Sequence, residues 1–244
     1  SIHSANFCLS KMTLMRILGF LVLFSFLSLP LTTHAQVSIS VQAGPDFAWL
    51  VNAVEGSNGS STITTQKSGS ITQFYGAVYA DIPLDTAGGL FFLRPGIEYL
   101  GAGGQMNANA DYYNSNGFLP STKYSLRYVD VPFQFVYSPA MDFGRPWIGL
   151  GLYGGALVGG TVATQGGSSQ PVKIGNNAAD NFKRFDAGYT FSLGLTTKSG
   201  FQFGATYQHG FVRAVPDARL NSSQSRLLTR NSVWDLHVGW VFRL

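Results

Sequence analysis

Apolar and polar residues alternate along much of the chain. Thr72, Phe74, Gly76, Val78, Ala80 and Ile82 form one face of a run whose other face is Gln73, Tyr75, Ala77, Tyr79 and Asp81. The same period of two returns from Phe91, where Phe91, Leu93, Pro95, Ile97 and Tyr99 oppose Phe92, Arg94, Gly96 and Glu98. From Val129 it sets Val129, Val131, Phe133, Phe135 and Tyr137 against Asp130, Pro132, Gln134 and Val136. From Ile148 the face Ile148, Leu150, Leu152, Gly154, Ala156 and Val158 opposes Gly149, Gly151, Tyr153 and Gly155. Further runs start at Phe185, at Phe201 and at Trp234, the last with Trp234, Leu236, Val238, Trp240 and Phe242 against Asp235, His237, Gly239 and Arg243. A first run, Val37 to Leu50, is interrupted by Gly44-Pro45. Strict alternation places successive side chains on opposite faces of a strand. It predicts eight strands of about 10 to 16 residues.

The connections alternate in length. Long ones fall near 52–68, 107–122, 161–182 and 215–230, rich in Asn, Ser, Gly and Gln. Short ones are Asp85 to Gly89, Pro139 to Arg145 and Lys198 to Gly200. A strand crossing a bilayer obliquely needs about 9–11 residues, and spanning barrels have long loops at one end and tight turns at the other. The pattern therefore predicts an all-β fold, an eight-stranded antiparallel up-and-down transmembrane β-barrel over residues 36–244. An even strand count puts both termini on the turn side, which is the periplasm if the loops face outward.

Composition changes the picture in two ways. Charged residues are only 11% of the chain against a usual ~25%, too few to coat helices or the water-facing side of a sandwich. Mean hydropathy is +0.11, which excludes a disordered chain. The apolar stretch Ile17 to Leu27 follows Arg16 and ends in Thr33-His34-Ala35, so residues 1–35 read as upstream residues plus a Sec signal peptide cleaved after Ala35. Eleven apolar residues are too short to span a bilayer as a helix, which takes about 20. Ser1 to Lys11 precede the first Met and look like upstream read-through. Removal of the leader takes away Cys8, the sole cysteine, and with it any disulfide, thiolate ligand or lipid-bearing cysteine. It also takes Lys11 and Arg16, leaving 14 basic against 12 acidic residues and no basic run for nucleic acid.

Leu126-Arg127-Tyr128-Val129-Asp130-Val131-Pro132 resembles the L-x-Y-ϕ-x-ϕ-P strand of the PorT-like outer-membrane β-barrel family. Pro146 to Gly155 is similar to its P-Y-ϕ-G-ϕ-G-x-Y strand, and Leu93-Arg94-Pro95-Gly96-Ile97-Glu98-Tyr99 to its L-x-P-G-ϕ-x-Y strand. Phe185-Asp186-Ala187-Gly188 and the closing strand fit as well, so the resemblance covers residues 36–244. It implies a small barrel in the outer membrane of a Gram-negative cell. The family's founding member is linked to type IX secretion, so the resemblance also implies an accessory place in a secretion or assembly complex. The chain departs from many barrels by ending Phe242-Arg243-Leu244 rather than on an aromatic.

Eight strands enclose a lumen only wide enough for side chains. Tyr75, Tyr79, Tyr128, Tyr153, Arg94 and Glu98 are expected to fill it, leaving no open pore. Arg94, Glu98, Asp130, Asp186 and Asp81 are expected to form a buried charge network, because buried charges must be paired. Such a network is a structural plug or, alternatively, a gate. Trp49, Trp147, Trp240 and Phe242 are expected at the membrane interfaces. No enzyme, cofactor or metal chemistry is expected. His209, in Tyr207-Gln208-His209-Gly210, has no Ser two residues away on its face, and His237 is expected to point inward beside Asp235. Gly101-Ala102-Gly103-Gly104 precedes no helix and is not a phosphate loop. Expected partners are outer-membrane lipid and proteins met through the long loops, chiefly Val54 to Lys67 and Thr161 to Phe182, or through the lipid-facing strands. A stand-alone surface barrel for adhesion or envelope integrity, and a lipid A-modifying enzyme, are the alternatives.

Overall fold

A computed structural model describes residues 37–55, 64–84, 90–106, 121–216 and 226–243. The leader at 1–35, the Asp85 to Gly89 turn, the chain end Leu244 and the centres of three long loops (56–63, 107–120, 217–225) lie outside the described residues. The strands are β1 (Ser38–Glu55), β2 (Thr64–Lys67), β3 (Ile71–Pro83), β4 (Phe91–Met106), β5 (Thr122–Tyr137), β6 (Gly144–Thr164), β7 (Gln170–Pro171), β8 (Phe185–Thr197), β9 (Phe201–Gly210) and β10 (Arg226–Arg243). Eight of them are long and run up and down in chain order; β2 and β7 are short pieces paired to the loop-end parts of β1 and β6.

The sheet closes. β10 pairs antiparallel with β1 from Ser38↔Arg243 to Glu55↔Arg226, so no long strand is left with a free edge. Closure satisfies the backbone polar groups within the wall, which is what a lipid environment demands. At the turn end the chain reverses tightly. Gly200 has φ +100°, a conformation only glycine adopts cheaply, and its N–H donates to the Thr197 carbonyl at 3.0 Å. Pro45 cannot donate to the ladder, and the β1–β10 pairing accordingly skips from Ala43↔Val238 to Asp46↔Asp235.

The outer face is apolar. Phe74, Ile97, Leu150 and Leu152 are 59%, 62%, 62% and 61% exposed, values that large apolar side chains avoid in contact with water. On β5 the outward column runs Tyr137, Phe135, Phe133, Val131, Val129, then changes to Arg127, Ser125 and Lys123. Five apolar positions on a tilted strand cover roughly 20–25 Å, the height of a hydrocarbon band.

Strands reach further into the loops than the alternation indicates. β1 continues to Glu55, β6 to Thr164, and β10 begins at Arg226, inside segments expected to be loop. Register also shifts between β5 and β6: Arg127 pairs with Gly159 but Tyr128 with Leu157, which leaves Val158 as a bulge. Beyond it the faces invert, so the outward apolar series from Ile148 ends at Val158 and Gly160 turns inward against Leu126.

Candidate functional site

The lumen is divided into two halves of different chemistry. Toward the turn end and middle it is polar. Tyr75 donates to Gln42 Oε1 at 3.3 Å, Gln42 Nε2 donates to Gln202 Oε1 at 3.1 Å, and the Tyr75 and Tyr79 hydroxyls are 3.0 Å apart. Tyr79 and Gln208 both donate to the Glu98 carboxylate. Gln134 Nε2 donates to Thr190 at 3.3 Å and its Oε1 accepts from Ser192 at 2.7 Å. Toward the loop end the lumen is apolar. Leu126 and Leu157 are fully buried there, with Ala48, Ile71, Leu100 and Val233 in the same cluster.

The β7–β8 segment seals this apolar half. Phe182 is buried in it and packs edge-on against Tyr124, ring centroids 5.4 Å apart. Lys183 N–H donates to the Ala214 carbonyl and Leu157 N–H to the Arg184 carbonyl, both at 2.7 Å. Thr161 to Phe182 is therefore not a free recognition loop from end to end: its first residues extend β6 and its last is core. Of the other expected contact segment, Val54 to Lys67, residues 56–63 lie outside the described residues.

The expected charge residues all lie in the lumen, but they do not form one network. Arg94 pairs with Asp81, Nε to Oδ1 at 2.5 Å and Nη2 to Oδ2 at 3.2 Å. Glu98 is held by neutral donors, and Asp186 accepts from Asn231 Nδ2 and the Ala187 N–H, both at 2.8 Å. Asp130 Oδ1 has no hydrogen-bond partner and lies against Gly155, where a Cβ would fall 1.8 Å away. One buried guanidinium cannot pair with six buried carboxylates, and six is the number among the described residues once Asp46 and Asp235 are included. Asp46 is not among the expected lumen residues, and Asp235 is expected there only as the neighbour of His237. They face each other across the β1–β10 seam, where Asp46 accepts the Gly101 N–H at 2.7 Å and Asp235 meets His237 Nδ1 at 2.6 Å. A cavity of about 10 Å³, room for about one water, remains between Asp130, Tyr153, Asp186, Gln208 and Asn231.

Trp147 contradicts its expected interfacial place. It is 4% exposed and points inward, with its ring stacked on His237 at 6.1 Å and the Arg94 guanidinium 4.6 Å from its centroid. Glycines make this possible: a Cβ on Gly194 would lie 2.3 Å from the indole, and one on Gly204 2.9 Å from it. Trp49, Trp240 and Phe242 lie on the outer face. Trp240 and Phe242 are near the turn end, with Phe201 alongside. Trp49 is near the loop end, stacked on Tyr207 at 6.3 Å, and Tyr189, His209 and Trp234 in turn surround Tyr207.

His209 has a partner that a single-strand reading cannot find. Its Nδ1 lies 2.6 Å from Ser232 Oγ, directly opposite on β10. Ser232 is buried beneath the aromatic cluster, and no carboxylate among the described residues holds the other ring nitrogen. Nearer the turn end the same outer wall carries an apolar groove of about 570 Å³, lined by small residues such as Ala43, Gly44, Gly194 and Ala205 between Leu193, Phe203 and Leu236. The loop end is basic. Among residues with described side chains, its rim and loops carry Lys123, Arg127, Lys173, Lys183, Arg184, Arg213 and Arg230 against Asp180.

A closed eight-stranded antiparallel barrel with an apolar outer band and a packed polar lumen defines the outer-membrane barrel class. Residues 34–213 match the family model described as "Outer membrane protein beta-barrel domain", and the chain belongs to that family. Membership places it in the outer membrane. Among solved structures it is similar to Ail, the attachment invasion locus protein of Yersinia pestis, at 13% identity and TM-score 0.38, covering 84% of this chain and 98% of that one. Neisserial surface protein A is similar at 16% identity and TM-score 0.39, covering 84% and 97%. The outer membrane protein AlkL is similar at 10% identity and TM-score 0.35, covering 87% and 92%. No curated protein matches the chain in sequence.

Proposed function

We propose that this is a poreless, non-catalytic barrel that works as a structural and interaction subunit. In this reading it is an accessory component of a larger outer-membrane secretion or assembly complex, of the PorT-like kind. A cleaved leader exports it, its loops face the cell exterior and both termini lie in the periplasm. The observation that carries the reading is the filled lumen. Apolar packing at one end and a hydrogen-bonded polar core at the other leave side chains where a channel would run, so the working surfaces are the loops and the outer wall. Gentle solubilisation followed by mass spectrometry of co-purifying proteins tests it. A stoichiometric outer-membrane partner is expected; isolation of the bare barrel under every mild condition overturns the accessory role. The basic loop end favours a second reading, a stand-alone barrel that secures the envelope through anionic surface groups.

A further inference from the structure

Arg127 and Lys123 stand on the outward face of β5 immediately above its apolar column, and both are exposed. At ordinary strand rise and tilt, Arg127 lies roughly 25 Å along the barrel axis from Tyr137, and Lys123 about 10 Å beyond it. The first is thus level with the hydrocarbon boundary and the second with the headgroups. Beside Arg127 both strand positions are glycine, with the Gln73 side chain lying over Gly101. Arg127 pairs with Gly101 on one side and Gly159 on the other, and Lys123 with Gln105 and Ala163. Between them Ser125 pairs with Gly103 and Thr161. The Arg127 guanidinium lies over Gly159, where a Cβ would come within 3.3 Å of Nη2. No carboxylate among the described residues pairs with either cation. The result is a strip of wall with a planar fork at its base and a flexible ammonium at its top.

We infer that this strip is a binding site for the phosphate groups of an outer-leaflet glycolipid. Two cations at i and i+4 on one strand stand about 13 Å apart, a spacing suited to phosphates at opposite ends of a disaccharide headgroup. Guanidinium recognises phosphate through paired parallel hydrogen bonds. The acyl chains then lie on Val129, Val131 and Phe133 below. The assignment to the outer leaflet rests on the outward-loop orientation proposed above; the phosphate chemistry does not.

Native mass spectrometry of the folded barrel, titrated with bis-phosphorylated lipid A and with the same lipid enzymatically dephosphorylated, tests the site. A basic residue near an anionic surface changes affinity by about fivefold. The phosphorylated lipid is expected to bind several-fold more tightly, and Lys123→Gln with Arg127→Gln to erase up to about twentyfold of that preference. Lys198→Gln with Arg243→Gln, at the turn end, is expected to leave it intact. Equal binding of the two lipids overturns the site, as does an unchanged preference in the β5 variant or an equal loss in the turn-end variant. Each variant is first checked for heat-modifiable gel migration, so that loss of fold is not scored as loss of binding. Leaflet is decided separately, by antibody access on intact cells to an epitope inserted between residues 56 and 63; inaccessibility removes the orientation and leaves the phosphate site standing.

Discussion

Arg94 grips Asp81 through two nitrogens, at 2.5 and 3.2 Å, inside a lumen from which both are shielded from solvent. Breaking such a pair strands a charge. Arg94→Ala is expected to destabilise the barrel by about 3–5 kcal/mol, measured by reversible denaturant unfolding in detergent. Arg94→Met with Asp81→Leu should recover most of that loss. Planar bilayers holding the wild type or Arg94→Ala should stay silent; discrete conductance steps in the variant would reinstate a gate.

Asp130 presents the opposite case. Its Oδ1 has no partner, so the native state gains little from that oxygen. Asp130→Asn should leave the unfolding midpoint unchanged or raise it, because it removes a carboxylate that the surrounding donors do not satisfy. A drop of more than about 1 kcal/mol would reveal a role for the carboxylate beyond packing.

The tryptophans divide by environment. In single-tryptophan variants reconstituted with brominated lipids, fluorescence from residue 49, 234 or 240 should be quenched and that from residue 147 should persist. Trp147→Ala should also cost about 3–5 kcal/mol as a cavity in a packed lumen, well above the cost of Trp240→Ala on the lipid face. Equal quenching at all four positions would reverse the inward assignment of Trp147.

His209 and Ser232 form a hydrogen-bonded pair with no carboxylate among the described residues to orient the ring. Ser232→Ala is expected to leave the lipid A mass spectrum of producing cells identical to that of the wild type. A missing or altered acyl group that depends on Ser232 would make the protein an enzyme.

Phe182 anchors the β7–β8 segment in the apolar half of the lumen. Phe182→Ala should expose residues 165–184 to limited proteolysis while the wall stays resistant, since the segment is tied to β6 and to Ala214 by few backbone hydrogen bonds. Cleavage within the strands at the same rate would mean that the ring supports the whole barrel.

The alternation reads the wall well because lipid outside and a narrow lumen inside impose the strictest period-two demand on a strand. It reads the ends less well. Trp147 is one position out of phase with Ile148, so the period puts it inward; its place at a strand end argued for a girdle, and the period was the better guide. Leu126 and Leu157 turn inward where the barrel needs a hydrophobic stopper rather than a polar filling, which no single strand discloses. The bulge at Val158 inverts a face without any local mark. Asp46 follows the Gly44-Pro45 break that obscures the first run, and Ser232 meets His209 only through the β9–β10 register. Pairings across strands are set by closure of the whole cylinder, so a window along one strand contains no trace of them.

The hollow that Gly194 and Gly204 leave for the Trp147 indole ties three positions on three strands into one inherited unit. A methyl group gained at 194 or 204 meets the indole and also a neighbouring backbone carbonyl, that of Phe203 or of Leu193, so shrinking the ring at 147 does not by itself admit it. Among homologous chains the two glycines should therefore persist even where the ring at 147 is lost, whereas a large ring at 147 should not occur without them, a dependence imposed by volume rather than by any shared chemistry.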